Sequence, residues 1–151
     1  MLELKIPPVI VGLVTAGLMW LVAHAMPGYG FDIPQRRLVA QVVAAAGFVV
    51  AVWGVVAFRR AGTTVNPMKP ESSSSLVVTG IYAFTRNPMY LGLLLVLVAW
   101  AIDLAHPAAF LVLPLFVLYM NRFQIQPEER ALASRFGPSF TAYASRVRRW
   151  I

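Results

Sequence analysis

Two short polar clusters flank a strongly apolar stretch of this chain, and they hold the side chains that could do chemistry. The first runs Gly80-Ile81-Tyr82-Ala83-Phe84-Thr85-Arg86-Asn87-Pro88-Met89-Tyr90-Leu91-Gly92. The second is Arg122 followed by Gln124, Gln126, Pro127, Glu128 and Glu129. Each residue has a plain structural explanation. Arg86 can anchor a helix to lipid phosphates, and Asn87-Pro88 can start one. Tyr82 and Tyr90 can be interfacial aromatics, and Glu128 and Glu129 can complement a helix N-terminus. Taken jointly, the Tyr, Arg, Asn and Gly of the first cluster and the carboxylates of the second make a pocket for a zwitterionic, nitrogen-rich ligand. Other chemistries lack their residues. The chain has no cysteine, hence no thiolate ligand or nucleophile. His24 and His106 are too far apart in sequence to pair as metal ligands, so no metal site is expected.

The elements that must position these clusters are membrane helices. Of 151 residues 59% are hydrophobic and 13% charged, against about 45–50% and about 25% in soluble domains. That composition excludes a disordered chain, disfavours a soluble enzyme, and turns the net charge of +7 toward a membrane surface rather than nucleic acid. Residues 6–26 carry no formal charge, and a bilayer crossing takes about 20 residues. The run is too long for a signal core and its flank holds one Lys and one Glu, so it is expected to be a retained span. Residues 38–58 make a second, after the turn chemistry of Pro27 to Pro34.

Residues 61–79 are polar, with Pro67, Pro70 and a serine tract, and read as a loop outside the hydrocarbon. From Pro88 to Met120 the chain is apolar again. One helix of that length would be about 50 Å long, against about 30 Å of hydrocarbon. Asp103-Leu104-Ala105-His106-Pro107 interrupts it, which predicts a tight hairpin of spans 86–102 and 106–123. The hairpin alone brings the two clusters together. The remainder, 124–151, is amphipathic, with a break at Gly137-Pro138, and reads as two short surface helices. The expectation is an all-α domain over 1–151: four transmembrane helices with a cap formed by 61–79 and 124–151. Four spans place Lys5, Arg59, Arg60, Lys69, Arg86, Arg122 and the five arginines of the tail on one side and only Arg36 and Arg37 on the other. Both termini are therefore expected in the cytoplasm, with the chain in a bacterial inner membrane.

Arg-Asn-Pro-Met-Tyr-Leu-Gly, 86–92, resembles the Arg-His-Pro-x-Tyr-x-Gly signature of integral membrane methyltransferases, the isoprenylcysteine carboxyl methyltransferases and related phospholipid methyltransferases. Their second signature is similar to Glu128, Glu129, Leu132, Phe136, Gly137, Phe140 and Tyr143, followed by Arg146 and Arg148. Thr63 to Pro67 resembles the bacterial branch. The resemblance covers about residues 55–150. It implies S-adenosylmethionine as methyl donor, held by Tyr82, Arg86, Asn87, Pro88, Tyr90, Leu91, Gly92, Gln126, Glu128 and Glu129. An Arg can take the donor's carboxylate bidentately, a Glu can hold its cation, and Tyr rings can sandwich its adenine. Gly92 would admit a close approach of the donor to the helix. Arg122, Glu129 and Asn66 are the candidates for orienting the acceptor and for catalysis.

The chain departs from the signature at Asn87, which stands where many members have His. Asn does not titrate near neutral pH, so this position cannot be a general base. The acceptor implied is lipophilic, most simply the carboxylate of an isoprenylcysteine-like or isoprenoid acid, with amine methylation of a phospholipid as the alternative. No obligate protein partner is evident. A four-span transporter is the reading outside the enzymes, but no Asp, Glu, Lys or Arg lies in the middle of a span.

Overall fold

The computed structural model describes residues 3–62 and 75–151. The described residues form six α-helices joined by turns, with no strand among them: α1 (Pro8–Ala25), α2 (Arg36–Arg60), α3 (Pro88–Leu104), α4 (Pro107–Tyr119), α5 (Gln126–Phe136) and α6 (Pro138–Arg146). Proline opens α1, α3, α4 and α6. The fixed φ of its ring suits the first turn, where the missing N–H has no helical acceptor to lose. α1, α2 and the continuous run Pro107–Phe136 are long and apolar enough to cross a membrane. α3 is apolar but has 17 residues. It is shorter at its start than the expected 86–102, because Pro88 drives Asn87 out of the helical region, to φ −131° and ψ 57°.

The helices run alternately up and down. Leu4 N–H donates to the Phe123 carbonyl at 3.0 Å. The Trp100 indole donates to the Ala16 carbonyl at 3.1 Å. The His106 imidazole meets the Met26 carbonyl at 2.9 Å. Gly54 lies on Pro88 and Gly47 on Gly92. One end, here the cap end, thus gathers Leu4, Gly54, Pro88 and Phe123. The other, the turn end, gathers Met26, Arg36, Ala105 and His106. α3 is central, packed on α1, α2 and α4.

α2 is held to α3 by absence of side chains. Its buried residues are Ala40, Gly47 and Gly54, one every seven positions. A Cβ at Gly47 would lie 2.7 Å from the Gly92 carbonyl oxygen, and one at Gly92 would lie 2.7 Å from Ala51 Cβ and 2.9 Å from Ala51 N. In a bilayer apolar residues gain nothing by leaving lipid, so this close backbone packing is what joins the two helices. Gly92→Val should therefore force α2 off α3 and cost about 1–3 kcal/mol, read as a fall in the thermal unfolding midpoint in detergent. Gly17→Ala, with nothing within 4 Å of its added Cβ, should not lower the midpoint, since Ala is the better helix former.

Two turns set the direction of the functional side chains. At the turn end, Ala105 is left-handed (φ 47°) and closes the α3–α4 hairpin. His106 accepts from Ala108 N–H through Nδ1 at 3.2 Å, so its Nε2 carries the proton and donates to Met26. At the cap end, Met120–Ile125 widens into a π-helix between α4 and α5. The cause is Pro127, which has no N–H for the Phe123 carbonyl and whose ring would crowd it in a regular helix. Leu4 takes up the freed carbonyl. The widened turn points Gln124 and Ile125 into the core and leaves the Arg122 side chain 57% exposed.

Candidate functional site

The chain from Gly80 to Asn87 reaches α3 through a short 3₁₀ turn, Gly80–Ala83. Tyr82 lies buried there against Phe58, at 5.2 Å between ring centroids in an edge-to-face arrangement. Its carbonyl accepts from the Tyr143 hydroxyl at 2.7 Å. Arg86 follows, with its side chain 14% exposed. Its Nη1 donates to the Ala144 carbonyl at 2.9 Å, and its Nη2 to Glu129 Oε1 at 2.8 Å. Glu129 is also held bidentately by Arg149, with Nη2 2.7 Å from Oε2 and Nε 3.0 Å from Oε1. One carboxylate from the start of α5 thus joins the entry to α3 to the C-terminal segment.

A second carboxylate lies deeper. Glu128 accepts from the buried Tyr90 hydroxyl of α3 and from Gln124 Nε2 at 2.9 Å. Gln124 also lies 3.4 Å from the Tyr90 hydroxyl. The π-helix places Gln124 four residues before Glu128 and on the same inward face.

The residues after α6 cover this arrangement. Arg86 N–H donates to the Arg148 carbonyl at 3.0 Å. The Arg149 carbonyl accepts from Asn87 Nδ2 at 2.9 Å and from the Thr85 hydroxyl at 3.2 Å. Trp150 donates to Asn121 Oδ1 at 3.1 Å. Asn87 occupies the N-cap position of α3 but caps nothing with its side chain, which is turned to the C-terminal segment instead.

The electrostatics follow from this enclosure. Burial raises the Tyr82 hydroxyl above its ordinary pKa and pushes Tyr143 up to about 12, against the opposing pull of the Arg86 charge on Tyr143. Both hydroxyls therefore stay protonated donors across the physiological range. The hydrogen bonds to Glu129 raise the Arg149 guanidinium above its usual value. Two buried polar atoms are left without a hydrogen-bond partner among the described residues, the Tyr82 hydroxyl and Arg86 Nε. Unpaired buried donors are rare and call for an acceptor that the protein itself does not supply.

The structure brings Tyr82, Arg86, Asn87, Pro88, Tyr90, Glu128 and Glu129 to one end of the bundle. Pro88 is fully buried, and Leu91 and Gln126 are half-buried there. Gly92 turns toward α2, so the space its missing side chain leaves is taken by Ala51 and the Gly47 carbonyl. Arg122 does not reach Glu129. It pairs with Glu3 at 2.8 Å, as Arg130 does at 2.6 Å, and the hydrogen bond from Arg122 holds the Glu3 carboxyl below its ordinary pKa. Asn66 and the Thr63–Pro67 motif lie outside the described residues. Arg149 is the residue of this arrangement that sequence reasoning missed, and Gln124 was named in the second cluster without a role. That role was detectable only from the phase change that Pro127 imposes. Arg149 resembles any other arginine of a basic tail.

A family model described as phospholipid methyltransferase matches residues 35–139, a stretch that contains both clusters. An uncharacterized protein of Haemophilus influenzae is 46% identical over 63 residues, which are 42% of this chain and 100% of that one. Protein-S-isoprenylcysteine O-methyltransferase of Rattus norvegicus is 30% identical over 112 residues, 70% of this chain but 39% of the rat enzyme. No solved structure matches the chain.

Proposed function

The chain belongs to the phospholipid methyltransferase family, and on that premise we propose that it methylates a lipophilic acceptor from S-adenosylmethionine at the cap end of a four-span bundle. The observation that carries the reading is the pair of unpartnered buried donors, the Tyr82 hydroxyl and Arg86 Nε, between two carboxylates brought in by α5. S-adenosylmethionine supplies, when bound, a methyl group activated by a sulfonium cation. Its carboxylate suits Arg86, its ribose and adenine suit Tyr82 and Tyr90, and its cationic groups suit Glu128, while Glu129 holds Arg86 in position. Three of these residues are held by other parts of the protein, so the pocket is preorganised: Tyr90 by Glu128, Glu128 by Gln124, and Glu129 by Arg149. Fixed geometry of this kind is worth about 7–11 kcal/mol of barrier when it also aligns an attacking group.

The acceptor we propose is a carboxylate on an isoprenoid or isoprenylcysteine-like tail. A carboxylate is a nucleophile as it stands and asks no proton transfer of the site, which fits a signature with Asn87 in place of an imidazole. The alternative is an amine of a phospholipid headgroup. It would need a base, and Glu128, half-buried and bonded to Tyr90 and Gln124, is the carboxylate placed for that work. α3 joins α1, α2 and α4 as the fourth span in this reading, since its ends are level with theirs. The excess of arginine at the cap end, with Lys5, supports a cytoplasmic position for that end and for both termini.

Titration calorimetry of the purified protein in detergent should show saturable binding of S-adenosylmethionine. Mass spectrometry of reactions with labelled methyl donor should then find methyl ester on a prenylated thioether acid. Methylated ethanolamine headgroups would favour the amine reading. Turnover should fall by about fourfold for each CH₂ removed from the acceptor's tail, the equivalent of about 0.8 kcal/mol of partitioning. Equal turnover of a short, water-soluble analogue would overturn entry of the acceptor from the bilayer.

A further inference from the structure

A cavity of 550 Å³ lies in the half of the bundle away from the candidate site, walled by Ala16 of α1, Ala40 and Ala44 of α2, and Leu97 and Trp100 of α3. That volume is within the range of sites that hold a small molecule, about 300–1,000 Å³. Its small residues leave room rather than fill it, and the wall is fixed, because the Trp100 indole is bonded to the Ala16 carbonyl. Along α3 the cavity runs from Val96 to Asp103, which lie about 14 Å and about 24 Å from Asn87 by helical rise, and its lining includes none of the cap-end residues. It is therefore not part of the cap-end arrangement.

The polar lining is confined to one end. Arg37 and Gln41 come from the first two turns of α2 and Asp103 from the last turn of α3. In a spanning bundle helix ends stand at headgroup depth, and the alanines and Trp100 stand at the depth of acyl chains. Arg37 and Asp103 line the same space, yet neither forms an ion pair among the described residues. A positive and a negative group that line one space without pairing with each other match a ligand that carries both a phosphate and an ammonium. A void lined by apolar atoms forfeits their dispersion contacts, and at that depth the material at hand to restore them is an acyl chain.

We propose that this cavity binds one phospholipid of the leaflet at the turn end, with an acyl chain between α1 and α2 and a zwitterionic headgroup across Arg37 and Asp103. The site rests on the bundle spanning the membrane and is independent of the methyl transfer, which belongs to the opposite end. The lipid fills the gap between α1 and α2 and so ties α2, which among the helices packs mainly on α3, to α1.

Native mass spectrometry of the purified protein in detergent, supplied with a palmitoyl-oleoyl phospholipid bearing either an ethanolamine or a glycerol headgroup, tests this. The wild type should retain one ethanolamine lipid per chain, with at least tenfold preference over the anionic glycerol lipid. Ala44→Trp, which fills the cavity, should abolish retention, with folding checked by the thermal unfolding midpoint. Asp103→Asn should remove the headgroup preference even if Ala44→Trp fails to fold. Retention by a folded Ala44→Trp equal to that of the wild type, or an unchanged preference in Asp103→Asn, would overturn the site. Failure of S-adenosylmethionine to bind would remove the proposed function and leave the lipid result standing.

Discussion

Glu129→Ala is expected to weaken S-adenosylmethionine binding by more than tenfold, about 1.4 kcal/mol, and to lower stability as well. Glu129 accepts from Arg86 and, bidentately, from Arg149, so its loss leaves two guanidinium groups facing each other without an anion between them. Removing one partner of a buried pair costs about 3–5 kcal/mol, because the other charge stays buried and unpaired. The Arg149 side chain is 37% exposed and well screened, so that figure is an upper bound and the penalty falls mainly on Arg86. Arg86→Ala should lose binding to a similar degree but lose less stability, since Arg149 still neutralises Glu129. Titration calorimetry and thermal unfolding of both variants separate the two effects. Wild-type affinity in both would reduce Arg86 and Glu129 to packing and anchoring.

The second large effect is expected from the chain's last turn. Removing residues 147–151 takes away the carbonyls of Arg148 and Arg149, which hold Arg86 N–H, Asn87 Nδ2 and the Thr85 hydroxyl, and the Trp150 bond to Asn121. It also removes the bidentate clamp on Glu129. The helices α1 to α4 make none of these bonds among themselves, so their insertion should be unaffected. Methyl transfer should be abolished and donor affinity lost, while helices α1 to α4 stay membrane-inserted, as read by protease protection and by α-helical circular dichroism. Turnover at the wild-type rate would show that the C-terminal segment is only a surface strap.

Much of the architecture was legible in the amino-acid order because it depends on local chemistry. The apolar runs, the prolines that open α1, α3, α4 and α6, the interruption at 103–107 and the stop at Gly137 each act within a few residues of themselves. The meeting of the two clusters was legible too, since a hairpin returns its ends to one another whatever its packing. Membership of a membrane methyltransferase family was carried by two short signatures in order, and these are also local.

Packing decided the rest. Gly92 sits in a methyltransferase-like signature, yet its direction is set by Gly47 and Ala51 of α2, residues some forty positions earlier. Arg122 opens the second cluster in sequence, but the π-helix that Pro127 requires rotates it outward to Glu3 and rotates Gln124 inward to Tyr90. Arg149 is one of five arginines in a tail whose spacing suggests only a basic membrane face. It turns inward because Asn87 and Thr85 need its carbonyl and Glu129 needs its guanidinium. The sequence by itself determined which segments are helices, where they turn and which residue types gather at one end. Only the tertiary structure decided which of those side chains face one another, because the direction of a side chain depends on helix phase and on partners far along the chain, which no local pattern records.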